Sequence, residues 1–224
     1  VTLLPPDKNN KEKINVLVIV DDSDSQKMSK QELSEKLGAI IHGMGKEVDK
    51  NIEAQTWIAS EIWGECFDGK YDRLSLIAMS HPIFDRGTIS GIRISEVHKK
   101  MSLEKFEKYI VCYVCVGSHF RGEGHEKSDI DAFVVIDDTD VKRMSRGELK
   151  DKLTAIMYDL AYKAAEITGV RIKLHVQTYL LTDFWDSIKD ANPVIFTFLR
   201  DGIPFYDRGM YMPWKQLLSM GKIK

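Results

Sequence analysis

Long apolar runs are missing from this chain. None approaches the roughly 20 residues that a helix needs to cross a bilayer, and no basic start leads into an apolar secretion core. A soluble protein with a cytoplasmic location is the resulting expectation. Charge of one sign is missing too. The 32 Lys and Arg nearly balance 34 Asp and Glu, a formal net charge of −2, so no global basic field draws long nucleic acid. Cysteine is scarce, and three, an odd number, make no disulfide framework. Cys112 and Cys115 form a C-x-x-C inside the β-type run 109–116. Alternation sends them to opposite faces, and no second pair is spaced to close a zinc site, so they read as core cysteines. At 224 residues the chain has room for one large domain or two small ones.

What is present is a repeat. Residues 14–22 (INVLVIVDD) echo residues 130–138 (IDAFVVIDD). Met28-Ser29 with Glu32-Leu33 matches Met144-Ser145 with Glu148-Leu149. Gln55-Thr56-Trp57 matches Gln177-Thr178-Tyr179, Trp63 matches Trp185, and Asp85-Arg86-Gly87 matches Asp207-Arg208-Gly209. So many features in one order indicate two tandem copies of one α/β unit, divided at residues 1–94 and 95–224.

Each copy reads as a strand (about 14–20 and 130–136), an acidic turn, and a helix opening at Ser29 or Ser145. The acid three residues on makes a capping box. In the second copy an apolar stripe through Leu149, Leu153, Ile156, Leu160 and Ala164 runs to Gly169. A strand over 170–181 and short helices near 183–189 and 193–200 follow. A helix over 102–108 feeds strand 109–116. The counterpart of that strand is expected to lie before Val1, making the first unit N-terminally incomplete. Segment 210–215 is amphipathic, a contact surface or a core cover. Asp21-Asp22 and Asp137-Asp138 resemble cation sites but read better as acidic turns and caps.

The chemistry concentrates in the second copy. Gly117-Ser118 and Arg121-Gly122 precede Ser128-Asp129-Ile130-Asp131. Residues i and i+2 of a strand project the same way, so Asp129 and Asp131 stand side by side. Adjacent carboxylates call for a cation, and a hard divalent ion shared with phosphate oxygens suits them. Gly117 permits close backbone approach, and free amides of the following turn can hold phosphate. Arg121 either reaches a phosphate or braces the loop. His119 and His125 flank the motif without metal spacing. The first copy carries Lys13 and Asn15 in place of the two carboxylates, and Pro5-Pro6 near the Gly-Ser position.

These residues resemble the signature of the polymerase-beta-type nucleotidyltransferase superfamily, most nearly its small archaeal and bacterial minimal members. The resemblance implies an α/β (α+β) fold of two nucleotidyltransferase-like units, each a small mixed sheet with helices packed on it. It implies transfer of a nucleotidyl group from a nucleoside triphosphate to a hydroxyl of a small molecule, protein or RNA end, with Mg2+ or Mn2+ held by Asp129 and Asp131. Gly117, Ser118 and Arg121 would take the phosphates. Self-association is compatible with this reading. The family usually has a third carboxylate on a later strand. Here that strand offers Lys173, His175 and Gln177 outward, and His175 is either base or ligand or a plain polar-face residue. A non-catalytic nucleotide-binding, antitoxin-like or regulatory module is the alternative.

Overall fold

The computed structural model describes residues 1–6, 12–25, 28–120, 128–141 and 143–223. The first half contains β1 (Thr2–Leu3), β2 (Ile14–Val20), α1 (Lys30–Val48), β3 (Ile52–Ile58), α2 (Ala59–Phe67), α3 (Asp72–Ala78), β4 (His81–Pro82) and α4 (Thr88–Phe106). The second contains β5 (Ile110–Val116), a 3-10 turn (Ser118–Phe120), β6 (Ile130–Ile136), α5 (Arg146–Thr168) and β7 (Leu174–Leu180). It closes with α6 (Leu181–Lys189), α7 (Pro193–Asp201), β8 (Ile203–Asp207) and α8 (Tyr211–Ser219). No described helix is long and apolar enough to cross a membrane.

The runs INVLVIV and IDAFVVI are rich in β-branched residues, which suit a pleated surface, and both form seven-residue strands. Each parallel partner (β3, β7) needs a crossover, and α1 and α5 supply it. Both crossover helices open on the expected capping boxes, Ser29 with Glu32 and Ser145 with Glu148. α5 stops where Gly169 turns left-handed at φ 65°, a conformation glycine adopts without a Cβ clash.

Two four-stranded mixed sheets result, ordered β3-β2-β1-β4 and β7-β6-β5-β8. The pairing directions correspond: β1 and β5 run antiparallel to both neighbours, and β2–β3 and β6–β7 are parallel. One core cluster joins Leu17 of the first sheet to Ile62, Leu74 and Ile92 of α2, α3 and α4. It continues to Ala132 and Val134 of the second sheet and Met157 of α5. The other face of the second sheet, including Cys112, Phe133 and Val135, buries Phe184, Phe198 and Trp214 of α6, α7 and α8. Fully burying such side chains contributes about 1.5–3 kcal/mol each. Cys112 and Cys115 fall in different clusters, so they face opposite ways. Burial pushes both thiols upward, and the isolated Cys66 is pushed up to about 12. All three are free and buried.

Three expectations change. The counterpart of β5 is β1, whose Thr2 pairs with Leu17 as Val114 pairs with Phe133; it does not lie wholly before Val1. Two paired residues, followed by Leu4 and then Pro5-Pro6, give no strand signal of their own. β7 begins at Leu174, because Ile130 N–H bonds to the Lys173 carbonyl and the ladder starts there. The helix expected at 102–108 is the end of α4, which runs unbroken through residues 94 and 95. Asp85 holds its start, accepting from the Gly87, Ile89 and Ser90 amides. Asp207 does the same for α8 through Gly209, Met210, Tyr211 and Met212. Within 210–215, Tyr211 and Trp214 are buried, so that segment covers core.

Candidate active site

β5 and β6 are antiparallel, with Val116 opposite Asp131. The end of β5 and the beginning of β6, the two inner strands, therefore meet at one end of the second sheet. Gly117 leaves β5 at φ 149°, and its carbonyl accepts from the Phe120 amide at 3.2 Å, closing the 3-10 turn. A Cβ built on Gly117 would lie 3.5 Å from the Asp129 carbonyl. The Gly-Ser turn and the first carboxylate are thus neighbours. Gly117 and Ser118 are half-buried and Asp129 is exposed.

Parallel pairing puts Asp131 directly opposite His175. Alternation along β7 buries Leu174, Val176 and Thr178 and turns His175, Gln177 and Tyr179 to the Asp131 face. His175 Nδ1 lies 3.2 Å from Asp131 Oδ1. A carboxylate only accepts, so Nδ1 donates and Nε2 of the neutral ring keeps its lone pair. Both side chains remain accessible to solvent. The sequence placed His175 on the outward face; the hydrogen bond that orients its ring needed the structure.

A second histidine works behind the motif. His119 is buried, and its Nε2 donates to the Ser128 carbonyl at 2.9 Å while Thr88 Oγ1 donates to the His119 carbonyl at 2.9 Å. The turn is thereby tied both to the residue before Asp129 and to the start of α4. Gly87, at φ 112°, gives the imidazole its place, since a Cβ there would overlap the ring. Sequence spacing carried no sign of this clamp. The one trace was that Gly87 recurs as Gly209. Arg121 and His125 lie outside the described residues.

The acidic turns are caps. Asp138 accepts from the Thr182 amide (3.1 Å) and hydroxyl (2.6 Å), and Asp22 accepts from the Ser60 amide (3.0 Å) and hydroxyl (2.5 Å). Asp137 accepts from the Thr139 hydroxyl and amide, which hold its carboxyl below the usual range. Trp63 packs edge-on against Phe120, whereas Trp185 is half exposed beside Trp214. A cavity of about 350 Å³ lies between Asp21, Ser60, Trp63, Asp85 and His119. Its lining includes none of Ser118, Asp129, Asp131 and His175.

In the first sheet the same station holds different chemistry. Asn15 pairs opposite Glu53 as Asp131 pairs opposite His175. Lys13 Nζ reaches Glu53 Oε1 at 3.3 Å and Lys46 Nζ at 2.9 Å, so lysines neutralise that acid.

Among the described residues, no three His, Cys, Asp or Glu side chains group closely enough to hold a metal ion by themselves. Asp129 and Asp131 supply hard oxygen donors from one strand start. A donor pair of that kind fits Mg2+, which takes one or two carboxylates and completes its shell with phosphate oxygens and water.

Residues 97–195, from the middle of α4 into α7, match the family model of the nucleotidyltransferase domain. No curated protein and no solved structure matches the chain.

Proposed function

We propose that this chain transfers a nucleotidyl group from a nucleoside triphosphate to a hydroxyl acceptor, at the site formed by Gly117, Ser118, Asp129, Asp131 and His175. One observation carries the reading: the Gly-Ser turn packs against the start of a strand bearing two accessible carboxylates, within the segment that matches the nucleotidyltransferase domain. Such a domain implies triphosphate binding and usually a divalent metal.

The residues divide the work by their chemistry. The Ser118 and His119 amides and the Ser118 hydroxyl donate to phosphate oxygens, which positions the triphosphate without covalent chemistry. Mg2+ or Mn2+, held by Asp129 and Asp131, supplies neutralisation of the phosphate charge when bound. His175, oriented by its Nδ1–H bond to Asp131, presents Nε2 to accept the proton of the attacking hydroxyl as pyrophosphate leaves. Arg121 is proposed as a further phosphate contact. A first unit at 1–94 and a second at 95–224, tandem copies with α4 serving both, belong to the same reading. So do a cytoplasmic location, a likeness to archaeal minimal members, and a small-molecule, protein or RNA-end acceptor.

The test is calorimetry with Mg2+ and each nucleoside triphosphate, beside Asp129→Asn combined with Asp131→Asn. Binding by the parent chain and its loss in the double variant are expected. If the parent binds no triphosphate, the proposal fails.

One observation favours a second reading. The position opposite Asp131 holds an imidazole where the family usually places an acid, which fits a module that binds nucleotide without turning it over. Tight binding with no pyrophosphate release across a panel of hydroxyl acceptors would select it.

A further inference from the structure

The strand order of the second sheet, β7-β6-β5-β8, sets the proposed reaction along one line. The Gly117-Ser118 turn follows β5, Asp129 and Asp131 begin β6, and His175 lies near the start of β7. Phosphates held by the turn therefore sit on one side of the carboxylates, and the base that takes the hydroxyl proton sits on the other. Since β7 is an edge strand, the acceptor reaches His175 over that edge. Helix α5 flanks it. The Tyr158 ring lies 6.4 Å from the His175 ring, centroid to centroid. Tyr158 is 45% exposed, and Tyr162, one turn on along the same side, is 67% exposed. Their neighbours Met157 and Ala161 are buried in one cluster with Leu174 and Val176 of β7. The core thus fixes the helix while the two phenol rings stand clear of it.

The first unit shows that this side of the crossover helix overlooks the station. Counted from the capping boxes, the counterparts of Tyr158 and Tyr162 are His42 and Lys46. Lys46 Nζ reaches Glu53 Oε1 at 2.9 Å, and Glu53 is the counterpart of His175. The unit without the two carboxylates closes the station with an ion pair. The unit that has them leaves it beside two exposed aromatic rings. Residues four apart on a helix are separated by about 6 Å along its axis. Two stacking gaps of about 3.4 Å each need nearly that much, so a planar ring fits between the tyrosines. Cations complete the edge. Arg171 and Lys173 are exposed on the approach to β7, and the Lys173 carbonyl accepts from the Ile130 amide, next to Asp129. A planar ring, an anion and a hydroxyl together describe a nucleotide.

We propose that the acceptor is a nucleotide with a free ribose hydroxyl, its base stacked on Tyr158 and Tyr162 and its phosphate beside Arg171 and Lys173. The inference rests on the activity proposed above. The ribose oxygen bonds to the α-phosphorus of the triphosphate, the bond from that phosphorus to pyrophosphate breaks, and the hydroxyl proton passes to His175 Nε2. A near-neutral chain is no obstacle, because one nucleotide needs a cation or two rather than a basic field. The probe is a short 5′-fluorescein oligoadenylate with a free 3′ hydroxyl, titrated with the full chain in EDTA and followed by anisotropy. Saturable binding is expected. Tyr158→Ala and Tyr162→Ala should each weaken it by about fivefold or more, whereas Tyr158→Phe keeps the ring and the affinity. Lys173→Ala should lower the slope of log affinity against log salt by about 0.7. Unlabelled AMP that competes as well as unlabelled oligoadenylate assigns the place to a free nucleotide; much weaker competition assigns it to a strand end. Three results would overturn the proposal: no saturable binding, undiminished binding by both alanine variants, or equal binding of a blunt duplex. Without metal or triphosphate in the cell, that failure is separate from failure of the calorimetric test of the activity.

Discussion

Glu53 and His175 hold the same station in their two sheets, each on the parallel partner strand, directly across from the second residue of the motif strand. The first sheet has the acid there and lacks the two carboxylates of the motif. The second has the two carboxylates and lacks the acid. The backbone therefore accommodates an acid at this station, and His175→Glu is expected to fold. It would place a third carboxylate next to Asp131 and raise affinity for Mg2+ without nucleotide by about tenfold or more. Calorimetry with MgCl2 alone measures this. Equal heats from both proteins would count against the shared station having any bearing on metal.

Putting carboxylates into the first sheet is expected to achieve nothing. Lys13→Asp with Asn15→Asp would flank Glu53 with two acids. Leu4 N–H bonds to the Asn15 carbonyl, which leaves Pro5 and Pro6 where the second unit has Gly117 and Ser118. Proline has no amide hydrogen to offer a phosphate. In a chain already carrying Asp129→Asn and Asp131→Asn, the exchange should leave nucleotide binding absent in a fluorescent-nucleotide titration. Recovered binding would show that the turn amides are dispensable.

Asp138 provides a control on the motif carboxylates. Its two oxygens are occupied by the Thr182 amide and hydroxyl, so Asp138→Ala removes a helix cap. About 1–2 kcal/mol of stability should go with it, while triphosphate affinity stays unchanged. A chemical melt and a binding titration on the same sample separate the two effects. A large loss of nucleotide affinity would move Asp138 into the site.

His98 makes stability depend on pH. Burial pulls its pKa from 6.5 down to about 4, with the Met157 carbonyl opposing weakly. Between those values the unfolded chain carries the proton and the folded one does not. The stabilisation is therefore complete above pH 6.5 and drains away as pH falls toward 4, by about 3 kcal/mol in all. Urea midpoints of the parent chain and His98→Gln, taken from pH 7.5 to 4.5, should converge toward the acid end. Parallel curves would mean that His98 does not titrate in this range.

Much of this was legible beforehand because it was written in local pattern. Strands β2 and β6 announce themselves through β-branched runs, α1 and α5 through Ser-x-x-Glu, and Asp129 with Asp131 through a spacing that fixes their common side. Alternation even sent Cys112 and Cys115 to opposite faces and His175 outward. What stayed hidden depends on partners far along the chain. β1 is a strand because Thr2 and Leu3 bond to β2 and β4, with no run of their own. α4 is buried on several sides, so it has no clean apolar stripe, and its polar residues Glu96, His98 and Lys99 are matched internally. Lys99 Nζ meets Glu96 at 2.5 Å and the Phe205 carbonyl at 3.2 Å. The His119 clamp joins residues 31 and 9 positions apart, beyond any local reading.

Helix α4 has one more consequence, for anyone wishing to trim this protein. It begins on a cap from the first half, ends three residues before β5, and closes one face of the second sheet. A piece starting at residue 107 would expose Ile130, Ala132 and Val134 to water and leave Tyr113 without His98. A piece starting at residue 95 would cut the helix across its buried middle, severing Gly91 from Ile130. The shortest excision that keeps the surroundings of Asp129 intact therefore starts at Asp85, so the keystone of the second half is quarried from the first.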